Sequence, residues 1–170
     1  DNEKVRKRAR KLLSSAAATD RDAIIKQYTA ALELKGDPGK GHELFQINCS
    51  SCHRMNGAEG IAFGPDLASI RNRDPRFIMA DILNPNRSIA DKYEWWTITL
   101  LNGERVNGII SAETSATLTL TQAGGKTLTL SRSAIRSMES SSTSAMPSGF
   151  EAALPVQDMA HLLAYLKGEK

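Results

Sequence analysis

Cysteine is scarce in this chain: among 170 residues, only Cys49 and Cys52 carry thiols. Nothing is left over for a structural disulfide framework. No second Cys/His pair stands at ligand spacing, which excludes a tetrahedral zinc site built on the first. The flanks are not those of a βαβ unit, so a thioredoxin-like dithiol is disfavoured. No apolar run is long enough to span a bilayer, and the start shows no charged-then-apolar leader. A net charge of +3 is too small to argue for a nucleic-acid partner. The length suits one ordinary domain, or a small domain with additions, and permits a real core. No internal repeat is present.

What is there is a five-residue stretch, Cys49-Ser50-Ser51-Cys52-His53. Two cysteines two residues apart, followed at once by histidine, form the attachment signature of a c-type heme. Each thiol adds across one vinyl group to make a thioether, and the next residue offers its imidazole to the iron. The expectation is therefore one covalently attached heme c, with His53 as an iron ligand and a sixth ligand from elsewhere in the chain. Heme is attached to such motifs outside the cytoplasm, so a periplasmic or otherwise exported location is expected. Either a leader has been removed or the chain is a piece of a longer exported protein. A start inside a charged helical pattern favours the second.

Along the chain, residues 4–16 place Val5, Ala9, Leu12, Leu13 and Ala16 at helical spacing within a basic run. That run reads as a solvated helix face rather than a dock for an acidic partner or membrane. Thr19 and Asp22 form a variant capping box, opening a second helix with Ile24, Ile25, Tyr28, Ala31 and Leu32 on one face. Two short apolar stripes need cover, which suggests the tail of a preceding helical domain. Gly36-Asp37-Pro38-Gly39 is the best linker. Beyond it, Gly41, Leu44, Phe45 and Ile47 lie on a helix leading into the heme motif. Asp74-Pro75 starts a third helix bearing Phe77, Ile78, Ile82 and Leu83, ended by Asn84-Pro85.

The pattern then alternates from Tyr93 to about Ser140, with Asn102-Gly103 and Gly124-Gly125 as hairpin turns. Four or five short strands are expected there, forming a small curled sheet or barrel. A polar stretch, Ser140 to Ser144, leads to Met146-Pro147. The last helix spans about Val156 to Lys167, with Met159, Leu162, Leu163 and Leu166 on one face and Gly168 as its stop.

Five methionines compete for the sixth position on the iron. Met55 lies too close to His53, whereas Met79 and Met159 sit at helical spacing as core residues. Met138, at the end of the strand region, stays open. Met146 is the first choice because it occupies an irregular segment stiffened by proline and followed by a helix. His42 and His161 read as solvated polar positions.

Together these residues resemble class I cytochrome c. Gly41 and Phe45 match the first helix of that fold, which crosses the last helix at positions like Leu162 and Tyr165. Cys49, Cys52 and His53 match the heme motif, and Met146-Pro147 matches the methionine loop. Gly64-Pro65-Asp66-Leu67 matches the loop whose proline carbonyl accepts a hydrogen bond from the proximal imidazole. The resemblance implies that Cys49, Cys52, His53, Pro65 and Met146 hold the heme, with His53 and Met146 on the metal. The departure is the β-rich insertion, which separates His53 from Met146 far more than is usual; removing it restores an ordinary spacing. With the insertion, the chain also resembles the C-terminal heme-binding domain of large secreted dehydrogenase-like proteins of planctomycetes and verrucomicrobia.

The expected fold class is mainly α: a class I cytochrome c fold with an inserted small all-β, SH3- or Sm-like subdomain and an N-terminal helical extension. The expected division is an extension at 1–36, a cytochrome c domain at 37–92 and 141–170, and a β-rich insertion at 93–140. The expected function is single-electron transfer without enzymatic chemistry, as the outlet of a fused or partnered exported dehydrogenase. Its partners would be redox proteins, not nucleic acid. The rival is a heme-based gas sensor or peroxidase-like site with a labile or absent sixth ligand. Tyr93, Trp95 and Trp96 of the insertion would line a docking surface, cover the heme edge, or help fill the sheet's own core.

Overall fold

A computed structural model of the chain describes residues 21–169. The basic run at 4–16 and the cap at Thr19 lie outside the described residues. The first helix, α1 (21–28), continues as a 3-10 turn, Thr29–Leu32. Next come α2 (Pro38–Asn48), α3 (Pro75–Leu83) and α4 (Val156–Lys167). Helices α2 and α3 start the same way. An aspartate, Asp37 or Asp74, accepts backbone N–H bonds from the first turn, and proline follows where no N–H is needed. Gly168, in the left-handed region at φ 72°, ends α4.

The helical core is built on the crossing of α2 and α4. Phe45, Met159, Leu162 and Leu166 are buried there with Ile78, Met79 and Leu83 of α3 and with Leu154. Glycine at position 41 permits the close approach, because a Cβ there would collide with the carbonyl of His161. The second expected helix finds its cover within this chain. Tyr28 and Ala31 are buried, Ile24, Ile25 and Leu32 pack on the same core, and the Tyr28 hydroxyl donates to the Leu154 carbonyl at 2.7 Å.

Two two-residue strands, β1 (Arg54–Met55) and β2 (Glu59–Gly60), make a short ribbon after the heme motif. The main sheet comprises β3 (Glu94–Leu100), β4 (Arg105–Glu113), β5 (Thr117–Thr121), β6 (Thr127–Ser131) and β7 (Ile135–Ser144). Its order is β6-β5-β4-β3-β7, all antiparallel. Three hairpins build the first four strands, and β7 returns beside β3. Ile98, Leu118, Leu120 and Leu130 form a second core, joined by Trp96, Val106, Ile110 and Met138.

The mainly-α class is therefore wrong. Strands hold as many of the described residues as α-helices do, and the molecule has both a helical core and a sheet core. The sheet also runs further than alternation suggests. Polar Ser140 to Ser144 continue β7 because their backbone pairs with β3, Trp96 facing Ser140 and Glu94 facing Ser144. A run of serines carries no hydrophobic alternation, so the pairing leaves no trace in the sequence.

Candidate heme site

Helix α2 runs directly into the Cys49–His53 stretch. Its last turn widens, with Cys49 and Ser50 both donating to the Phe45 carbonyl; Cys52 and His53 then donate to the Cys49 carbonyl. These bonds hold two thiols and one imidazole on a compact backbone. Both thiols are free. Burial, with Cys52 nearby, pushes the Cys49 thiol up to about 12. A redox dithiol depends on a lowered thiol pKa, so this environment opposes that chemistry.

His53 is fixed by a bond made across the loop. Its Nδ1 lies 2.8 Å from the Pro65 carbonyl oxygen. A carbonyl only accepts, so Nδ1 carries the proton and Nε2 is left as the basic nitrogen available to a metal. Burial lowers the imidazole's pKa, and the bond to Pro65 opposes this in part. The neutral, ligating form is favoured. Gly64 lies flat against the ring: a Cβ there would strike the imidazole. Phe63 and Gly64 both donate to the Cys52 carbonyl, tying this loop to the motif.

Asp66 anchors the same loop. Its carboxylate accepts from the Asn56, Gly57 and Ala68 N–H groups, which hold its pKa below the ordinary carboxylate value. The Asp-x-Ala spacing after Pro65 is a turn signal, but its long-range bonds to Asn56 and Gly57 are not readable locally.

A cavity of about 440 Å³ opens beside His53, within the range of small-molecule and cofactor sites. Cys49, Cys52, His53, Pro65 and Met146 all line it. The walls are mostly apolar and include Leu67, Ile70, Ile78, Phe150, Leu154 and Leu166. Met146 arrives from the loop after β7. Its N–H donates to the Ser144 hydroxyl, and the Ser144 N–H donates to the Asn86 side chain at 2.7 Å. The end of the sheet is thereby tied to the segment following α3.

The other candidates lie elsewhere. Met55, Met79 and Met159 are buried in the helical core, and Met138 packs on the sheet core. His42 is half-buried, stacked on Tyr165 at 5.0 Å and bonded to Glu59 at 2.9 Å. His161 is not solvated but 8 % exposed, its Nδ1 accepting the Asp37 N–H at 2.8 Å. It joins α4 to the start of α2, a contact that helical periodicity cannot show. Sequence reasoning also missed the cavity residues Ile89, Ala90 and Ile109.

Thiols at this spacing, a neutral imidazole with one nitrogen already oriented, a thioether and an apolar cavity together suit a heme. Residues 39–99 match the cytochrome c family model. The match takes in Cys49, Cys52, His53 and Pro65 and stops inside β3, so Met146 lies beyond it. A cytochrome c from Arabidopsis thaliana is 39% identical over 44 residues, 26% of this chain. Those residues span 39% of that relative's length. A cytochrome c segment implies covalently bound heme c, for which Cys49 and Cys52 would be the tethers and His53 the histidine ligand. Among the described residues, no helix is long and apolar enough to cross a membrane.

Proposed function

We propose that this chain carries single electrons through one heme c tethered by Cys49 and Cys52, with His53 and Met146 as the two iron ligands. The observation that carries this reading is the convergence of His53, with Nδ1 committed to Pro65, and distant Met146 on one apolar cavity. When bound, the heme supplies the one-electron couple. The residues do the rest. Pro65 holds the imidazole in the Nδ1–H tautomer and raises the basicity of Nε2. A thioether at Met146 favours the ferrous state over bis-imidazole ligation. The apolar walls keep water away. No side chain need transfer a proton, so the role is electron transfer rather than catalysis.

The finer reading is that this is the electron outlet of a larger exported dehydrogenase, delivering to a redox carrier. It rests on the resemblance read from the sequence, insertion included, to heme-binding domains of large secreted dehydrogenase-like proteins, and on heme attachment occurring outside the cytoplasm. In the same reading, 37–92 with 141–170 is the cytochrome unit, 93–140 its insertion and 1–36 its extension. Reduction of the ferric protein by an exported sugar-type dehydrogenase with its substrate tests the context.

The ligands are tested by absorption spectroscopy of the ferric holoprotein. The expected result is a low-spin spectrum with the weak red-edge charge-transfer band of methionine-bound iron, lost in Met146→Ala. A high-spin ferric spectrum in the wild type, with a reduced form whose spectrum shifts on adding carbon monoxide, would overturn it in favour of a gas-binding or peroxidase-like heme.

A further inference from the structure

The inserted sheet has two unlike faces. Ladder register puts Trp96, Ile98, Val106, Ile110, Leu118 and Leu120 on the side of the sheet's own core. Side chains alternate along a strand, so Trp95 and Ile109 belong to the other face. Thr121, the partner of Ile109 across the ladder, lies there with them. On a free-standing sheet that face would be wet. Here Ile109 is 5 % exposed and Thr121 is buried too.

What covers that face is the heme-motif region. Trp95 meets Phe63 edge-on at 6.3 Å between ring centroids, and Phe63 is itself a wall of the cavity. Gly125, in the turn before β6, lies so close to Ile61 that a Cβ would come within 2.7 Å of its methyl. Ile109 lines the cavity directly, the sheet's apolar contribution to the site beside Ser144 at the end of β7.

We propose that the inserted sheet is a fixed wall of the heme crevice, with Ile109 as the side chain that closes the cavity against water. This inference rests on the heme reading given above. It assigns the insertion a role at the cofactor rather than at a separate partner. The Trp95–Phe63 and Gly125–Ile61 contacts hold the wall in place, on the loop that leads to Pro65. Replacing Ile109 by a small polar residue would admit water and small ligands without touching His53 or Met146. Water near the iron stabilises the ferric charge, so the potential would fall.

The test uses the intact heme-loaded chain. In the reduced, diamagnetic protein, the methyl resonances of Ile109 should be displaced from the ordinary methyl range by the heme ring current. Those of Ile110, on the opposite face, should not. In ferric Ile109→Ser, imidazole should bind several-fold faster than in wild type and the midpoint potential should drop. Ordinary shifts for both isoleucines would overturn the wall, as would unchanged imidazole access and potential. The methyl comparison needs no variant, so a poorly folding Ile109→Ser does not remove the test. A wild-type spectrum without methionine ligation would count against the function proposed above, whereas the Ile109 shifts, then read in the diamagnetic ferrous carbon monoxide adduct, would still report on the wall.

Discussion

At the level of single residues, Gly64 constrains the heme site through the imidazole itself, for it lies between the heme motif and the proline that orients His53. The imidazole rests on its backbone, and a methyl group would meet three ring atoms at once. Either the ring tilts, weakening its bond to Pro65, or the loop moves away. Gly64→Ala is expected to destabilise the heme-loaded protein by about 1–3 kcal/mol, the usual range for overpacking. The ferric spectrum should broaden or lose its low-spin character as His53 reorients. Guanidinium unfolding followed in the heme band measures both effects. The importance of Cys49, Cys52 and His53 is legible from spacing alone. That of Gly64 is not, since a glycine before proline could serve any turn.

Among the elements, α3 shows how local chemistry defines a helix start. The Asp74 carboxylate accepts the Arg76 N–H at 2.8 Å and is gripped by the Arg76 guanidinium, with its closest contact at 2.6 Å. The Arg76 side chain is the main reason its pKa falls from 3.8 to about 2, with the backbone bond next. A depressed carboxylate contributes stability that is fully present above its unfolded pKa and is lost as pH falls towards about 2. Arg76→Ala should therefore move the Asp74 titration up towards its ordinary value and shift the onset of acid unfolding to higher pH. Carboxyl carbon shifts followed through an acid titration measure the first; circular dichroism over the same range measures the second. The cap itself should survive, because the backbone bond does not need the guanidinium. Asp-Pro at this start is visible in the sequence, whereas Asp37-Pro38, which reads there as a linker, caps and opens α2.

At the scale of the whole molecule, two cores share one boundary. Phe45, Leu83, Met159 and Leu162 belong to the helical core, and Ile98, Leu118, Leu120 and Leu130 to the sheet core. Leu118 is fully buried, so Leu118→Ala should cost about 2–5 kcal/mol from lost burial and the cavity left behind. Because the clusters are separate, the loss should be felt first in the sheet. Native-state hydrogen exchange should accelerate in β4, β5 and β6 more than in α2 and α4. Equal acceleration throughout would mean that the two cores open as one cooperative unit.

The sequence by itself determined what depends on neighbours along the chain. The spacing of Cys49, Cys52 and His53, the Asp74-Pro75 helix start and the alternating strands are local patterns, each with a local physical cause. Its helical stripes and heme motif suggested a mainly helical protein. That class failed because the expected strands, with β7 running on through serines that carry no hydrophobic alternation, hold as many described residues as the α-helices and build a core of their own. The Pro65 carbonyl on His53 and Met146 at the same cavity were expected partners that the tertiary structure brings together, whereas only it decided that His161 is buried beneath the start of α2 and that Ile109 turns away from the sheet's own core. Such contacts depend on which face of one element packs against which face of another. Periodicity can mark that a face is apolar, but it cannot name the face that covers it.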